Sequence, residues 1–220
     1  MTIHVEKSQY SPLAYEPELT GLLVVDPYND FLSEGGKLFE LSRGTLQVFD
    51  VVALMRQVLS AARKRGIQVF VAPHHRWRAT DAHSRWKTMP PIQATAAKEH
   101  IFEDGTWGGS FHPDLLPIPG EVVAQEHWLS SGFANTDLDL QLKKHGVRKV
   151  IVIGMRANTC IESTVRFAAE LGYEVTLVKD AIGSFGEEEM ASSLRYNLPA
   201  YAKAILTTQE MVSQLSEENQ

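Results

Sequence analysis

Val150-Ile151-Val152-Ile153-Gly154-Met155-Arg156-Ala157-Asn158-Thr159-Cys160-Ile161-Glu162-Ser163-Thr164 reads as a strand turning into a helix, and it carries the only cysteine of the chain. Val150 to Ile153 is short, β-branched and uninterrupted, the pattern of a parallel strand buried on both faces. Thr159 and Glu162 stand at the Thr-x-x-Glu spacing of a capping box, which predicts a helix from Cys160 to Leu171 with the cysteine in its first turn. Unpaired N–H groups and the positive end of the helix dipole favour a thiolate there, and the same groups suit a developing oxyanion. A buried, inert thiol is the alternative reading of a lone cysteine.

The alternation continues on either side. Gly21 to Val25 predicts a first strand that ends in Asp26-Pro27-Tyr28-Asn29-Asp30-Phe31. Residues 39–44 read as a loop. Val48, Val51, Val52, Met55, Val58, Leu59 and Ala62 then recur at helical spacing up to Gly66, followed by a strand over 67–72. A third strand is expected over 121–125, running into Glu126 and His127. Asn135 or Thr136 is placed to cap a helix through Leu138 and Leu142 to Gly146. Beyond the strand over 149–153 and its helix, the pattern gives a strand over 173–178, a helix over 187–196, a short strand over 204–206 and a helix over 208–215. Strands alternating with helices predict an α/β fold, a parallel sheet covered on both faces with right-handed crossovers. Residues 1–19, with Pro12 and Pro17, read as an irregular arm lying on the body or on a neighbouring subunit, and 20–215 as a single domain.

Bulk properties agree with one soluble domain: 220 residues, 44% hydrophobic and 22% charged. A formal net charge of −6 argues against a general nucleic-acid or anionic-membrane surface and points to a small-molecule partner. No run reaches the ~18 apolar residues of a membrane span, and no basic-then-apolar leader is evident, so the cytoplasm is the expected compartment. The single cysteine fits a reducing environment.

Asp26, His127 and Cys160 follow the first, third and fourth strands, and the carboxyl ends of parallel strands share one edge, where open α/β sheets bind ligands. Thiol attack needs a group to remove the proton and later deliver it to a leaving amine; Asp26 suits that role, with His127 orienting it or sharing the proton. As alternatives, Asp26 serves as a turn residue before Pro27 and His127 as a surface histidine. The irregular insert over 73–120, with His74-His75-Arg76-Trp77, Asp81-Ala82-His83 and Thr106-Trp107-Gly108-Gly109, is long enough to build a site. Phe31, Trp77, Trp107, Trp128 and Phe133 are candidate pocket walls, with core packing as the alternative. Arg76 and Arg156 are candidates to meet a carboxylate, with solvated surface positions as the alternative.

Three segments carry a resemblance: Val24-Val25-Asp26-Pro27-Tyr28-Asn29-Asp30-Phe31, Ser130-Ser131-Gly132-Phe133-Ala134-Asn135-Thr136-Asp137-Leu138, and Gly154 to Thr164. Together, over about residues 20 to 210, the chain resembles the isochorismatase-like cysteine hydrolases. The resemblance implies a three-layer α/β/α Rossmann-like sandwich with a six-stranded parallel sheet, and an Asp-Lys-Cys triad cleaving amide or carbamoyl C–N bonds. Asp26 would be the acid/base and Cys160 the nucleophile forming a thioester. It also implies a cis peptide at Met155-Arg156, turning the N–H groups of Ala157 to Cys160, Thr159 included, towards an oxyanion.

The chain departs from the family pattern where the lysine is expected: His127 stands there, shorter and able to be neutral at pH 7. Glu126 or an arginine of the insert are alternative contributors. Nicotinamidases of the superfamily bind a divalent metal through an Asp-x-His pair and another histidine. Here the stretch is His74-His75-Arg76, so solvated or hydrogen-bonding roles are expected for His74, His75 and His83, with zinc ligation as the alternative; no metal and no cofactor are expected. The expectation is an amidohydrolase for a small polar substrate, assembled as a homo-oligomer, a dimer or larger. A weakly active binding or assembly protein and an isochorismatase-type vinyl ether hydrolase are the alternatives.

Overall fold

The computed structural model describes residues 14–48 and 50–216. Six strands, β1 (Thr20–Val25), β2 (Gln68–Ala72), β3 (Val122–Val123), β4 (Lys149–Met155), β5 (Glu174–Gly183) and β6 (Ala204–Leu206), form one sheet in the order β3-β2-β1-β4-β5-β6. Every pairing is parallel. The chain builds outward from β1 to β3, then returns to lay β4 against the other side of β1. The order therefore reverses between β1 and β4, and ligands of such sheets bind at that crevice.

The helices are α1 (Asn29–Leu32), α2 (Phe39–Val48), α3 (Val51–Arg65), α4 (Pro91–Lys98), α5 (Leu138–Lys144), α6 (Glu162–Glu170), α7 (Glu187–Ser192) and α8 (Thr208–Ser216). Strand alternation divides the core. Leu22, Val24, Ile151 and Ile153 face a layer holding Met55, Leu59, Met211 and Leu215 from α3 and α8. Leu23, Val25, Val150 and Val152 face Leu138, Leu142, Val165 and Ala168 from α5 and α6. Each fully buried aliphatic side chain contributes about 1.5–3 kcal/mol, so both layers are needed to hold the central strands. Among the described residues no single helix is long and apolar enough to cross a membrane.

Residues 1–13 of the expected arm lie outside the described residues. Its last part packs on the body, where Tyr15 is buried with its hydroxyl 2.9 Å from that of Thr176, and Glu16 pairs with Lys149 at 2.7 Å.

The structure corrects the sequence reading in three places. Residues 39–44 are not a loop but the start of α2, because Phe39, Ser42 and Leu46 fall on one buried helical face, with the Ser42 hydroxyl satisfied by the Leu38 carbonyl. The third strand shortens to two residues: Glu121 turns away to a two-pronged bond with Arg63, and the Gln125 N–H goes to Asp137. The Thr159/Glu162 capping box does not form. Ala157–Ile161 is a wide π-helical turn that delays the helix to Glu162. The Glu162 carboxylate is used instead by Arg166, Ser193 and Asn197.

Candidate active site

Asp26 leaves β1 with a left-handed φ of 50°, a conformation that aspartate tolerates better than most residues, and this turns the chain sharply over the sheet edge. The next strand is held close by Gly154, at φ 126°, where any Cβ would collide with the backbone of Val25. The Met155–Arg156 peptide beyond it is cis. The turn that follows puts Cys160 opposite Asp26.

His127 reaches the same point from the far side of β2. Residues beyond β3 run alongside those beyond β2: the His127 N–H donates to the Pro73 carbonyl at 2.9 Å, and the His75 N–H donates to the His127 carbonyl at 2.8 Å. Its ring Nε2 lies 3.0 Å from Asp26 Oδ1. Asp26 and His127 are both 0% exposed and Cys160 5%. One donor atom from each of the three lies within 4.8 Å of the others. Asp26 Oδ2 and His127 Nδ1 are buried and make no hydrogen bond among the described residues.

The thiol is not the preformed thiolate that its position at a helix start suggests. Burial, then the charge of Asp26, pushes the Cys160 pKa well above the ordinary thiol value, outweighing the smaller opposite effects of Thr159 and Arg156. Besides the Asp26 carboxylate, the sulfur has two long polar contacts, the Thr159 hydroxyl at 3.9 Å and the Leu129 carbonyl at 4.0 Å. The Thr159 N–H is bonded to the Arg156 carbonyl at 3.1 Å, which removes it from the set of N–H groups expected to face an oxyanion.

Cys160 forms part of the wall of a cavity of about 260 Å³, near the small end of ligand sites. Of the expected walls, Phe31 and Arg156 line it. The others do not. Trp77 stacks on His100 and Trp128 on His75, both with ring centroids 3.6 Å apart, and both border a separate recess of about 20 Å³. Trp107 is 53% exposed on the surface. Phe133 is buried in the α5/α6 layer, near Tyr173. Arg76 is committed to Glu126 at 2.7 Å and Asp104 at 3.6 Å.

Several lining residues had no recognisable sequence signal. Phe102, Ile101, Ile92 and Gln93 come from the insert, Leu129 follows β3 and Phe185 follows β5. The insert is anchored beneath them by Asp30, whose buried carboxylate accepts from the N–H of Lys37 at 3.0 Å and of Phe102 at 2.7 Å. Its outer part is held by Glu126, which binds Arg76, Arg78 and His75. Although burial opposes it, those hydrogen bonds keep the carboxyl well below the usual range. His74 hydrogen-bonds as expected; what its sequence position does not signal is that it lines the cavity. Its Nδ1 donates to the His75 carbonyl at 2.9 Å, fixing one neutral tautomer, and burial followed by the neighbouring His127 depresses its pKa to about 4.

His75, Asp81 and His83 also bring donor atoms close together. A cation fits them poorly: His75 Nε2 already faces Asp81 at 2.9 Å and its Nδ1 faces Glu126 at 3.1 Å, so both ring nitrogens are engaged by side chains of the insert and of the stretch after β3.

Residues 20–210 match the model of the isochorismatase domain. The ureidoacrylate amidohydrolase RutB of Pantoea ananatis is 30% identical over 86% of this chain and 79% of that protein. The protein of the same name from Agrobacterium fabrum is 26% identical over 94% of each. Among solved structures, an isochorismatase-like hydrolase from Alkaliphilus metalliredigens superposes with a TM-score of 0.70 at 25% identity, covering 90% of this chain and 97% of the other.

Proposed function

The chain belongs to the isochorismatase family of hydrolases, and on that premise we propose that it cleaves an amide or carbamoyl C–N bond of a small substrate through a thioester at Cys160. The observation that carries this reading is the meeting of Asp26, His127 and Cys160 within 4.8 Å beside a mainly apolar cavity. The relatives named as ureidoacrylate amidohydrolases support the bond type.

Because the thiol is protonated at rest, attack and proton transfer belong to one step. Asp26 takes the Sγ proton as sulfur bonds to the carbonyl carbon, with the oxyanion steadied by the N–H groups of Ala157 and Cys160. The C–N bond breaks as Asp26 passes that proton to the leaving nitrogen, leaving the thioester and the amine. Water then gives a proton to Asp26 and its oxygen to the acyl carbon, and the proton returns to sulfur as the acid departs. His127, bonded to Asp26 Oδ1, fixes the carboxylate so that Oδ2 stays free for this work. It stands in for the family lysine by position and hydrogen bonding. Phe31 forms a wall of the substrate space.

This reading includes a reducing cytoplasm, which keeps the thiol usable, and a homo-oligomer. The latter is supported by Leu140 on α5, Phe167 on α6 and Leu171 just after α6, large apolar side chains left exposed. Light scattering after gel filtration tests the assembly. A screen of ureido and amide substrates against wild type and Cys160→Ala tests the chemistry. Turnover should vanish in the variant and a covalent acyl adduct should appear by mass spectrometry in the wild type. Turnover that survives loss of the sulfur removes the thioester and favours ether hydrolysis.

A further inference from the structure

Arg156 differs from the half-buried arginines Arg63, Arg76 and Arg78 in having no counter-charge. Arg63 is paired with Glu121, Arg76 with Glu126 and Asp104, and Arg78 with the same two acids. Arg156 makes no ion pair among the described residues, and its buried Nε makes no hydrogen bond. Its guanidinium lies 3.9 Å over the centroid of Phe185, and both side chains line the cavity that Cys160 borders. Glu189, the nearest acid by its field, accepts from the Ser184 hydroxyl at 3.0 Å and does not reach the guanidinium.

Arg156 is half-buried with its Nε sealed from solvent, and a guanidinium so placed without a counter-charge is unfavourable; stacking on one aromatic ring returns only about 0.5–2 kcal/mol. Burial accordingly depresses the Arg156 pKa. Such a group is most economically explained by an anion that arrives from outside. The rest of the lining sets the form of that guest. Phe31, Ile92, Ile101, Phe102, Leu129 and Phe185 offer apolar contact, and among the described residues no acidic side chain lines the cavity. A second carboxylate would find no second cation among the lining residues, since His74 is neutral at pH 7.

Resting on the site reading above, we infer that the substrate is a monocarboxylate with an apolar body, its carboxylate held by the Arg156 guanidinium and its amide or ureido carbonyl presented to Cys160. This narrows the small polar substrate expected from sequence alone. The planar fork of an arginine pairs a carboxylate through two parallel N–H···O bonds, so the contact fixes direction as well as charge. A substrate anchored there has its uncharged body against the insert and one orientation relative to the sulfur.

Two measurements separate this inference from the proposed chemistry. In the first, Cys160→Ser protein is titrated calorimetrically with 4-methylpentanoate and with 4-methylpentanamide, probes that differ in charge and require no turnover. The acid should bind about ten- to a hundredfold more tightly than the amide. Arg156→Gln in the same background should erase that preference, and Arg156→Lys should keep part of it. In the second, wild type is assayed with N-carbamoyl-leucine and its methyl ester, the acid being favoured mainly through KM. Acid binding dependent on Arg156 with no amide or ureide turned over supports the anion subsite and removes the hydrolytic reading. Turnover of neutral amides without preference for the acid retains the hydrolytic reading and overturns the subsite. Failure of the acid to bind at millimolar concentration, or an unchanged preference in Arg156→Gln, overturns it as well.

Discussion

Asp26 and His127, 101 residues apart in sequence, meet through one 3.0 Å contact between Oδ1 and Nε2, while the second polar atom of each side chain, Oδ2 and Nδ1, is buried without a hydrogen bond among the described residues. The contact leaves one face of the carboxylate uncommitted next to a thiol whose pKa is raised by burial and, to a lesser extent, by that same carboxylate. A base that raises the pKa of its own target behaves differently from a histidine–cysteine ion pair, where the thiolate exists before substrate arrives.

Asp26→Asn therefore has opposite effects on two properties of Cys160. Removing the negative charge lowers the thiol pKa, so iodoacetamide alkylation at pH 7 should be faster than in wild type, which labels slowly until well above the ordinary thiol range. Hydrolysis should fall by about 10²–10⁴-fold, because the proton acceptor is gone. Equal loss of both reactivities would assign Asp26 a purely structural part.

His127→Ala leaves the buried Asp26 Oδ1 without its donor. A loss of about 1–3 kcal/mol is expected in denaturant unfolding, together with lower turnover. His127→Gln, which restores an N–H donor without a titrating ring, should recover part of the stability. If glutamine also recovers full turnover with an unchanged pH profile, the ring acts only by holding the carboxylate.

His74 gives the fold a pH dependence of definite sign. Its folded-state pKa is depressed from 6.5 to about 4, so below 6.5 the unfolded chain takes up a proton that the folded chain refuses. The associated stability is complete above about pH 6.5 and is lost as pH falls towards 4, with a slope of up to about 1.4 kcal/mol per pH unit. Thermal melts across that window should be shallower for His74→Gln than for wild type. Parallel curves would mean that the ring is protonated in the folded protein.

Asp30 is in the same run of acids and aromatics as Asp26 but holds structure, accepting from the N–H of Lys37 and Phe102. Asp30→Ala leaves both donors unpaired and should destabilise by about 1–3 kcal/mol for each. Gly108→Ala should act on the same point, since its Cβ would collide with the Asp30 carboxylate. Proteolysis within the insert should accelerate in both variants; an unchanged cleavage pattern would argue that the insert is anchored elsewhere.

The strand ends were legible before any coordinates, because a short β-branched run followed by Asp26 or by the Cys160 turn marks both the strand and its carboxyl edge. The α2 helix was less legible: Gly44 and the mixed polarity of Phe39 to Gly44 imitate a loop, and only packing of Phe39, Ser42 and Leu46 against the core reveals the helical face. Trp77, Trp107 and Trp128 were natural candidates for walls by chemistry, yet their rings turn to histidines or to solvent. Phe102 and Phe185 gave no signal and form the walls instead.

By itself the sequence determined that six parallel strands would carry Asp26 and Cys160 to one edge, since the period of apolar residues sets the strands and right-handed crossovers leave their carboxyl ends on the same side. Tertiary structure alone decided that His127 bonds the acid, that the thiol rests protonated, and that Arg156 rather than Arg76 faces the cavity without a partner. Those properties depend on desolvation and on the direction of side chains brought together from distant parts of the chain, and neither quantity is encoded in local spacing.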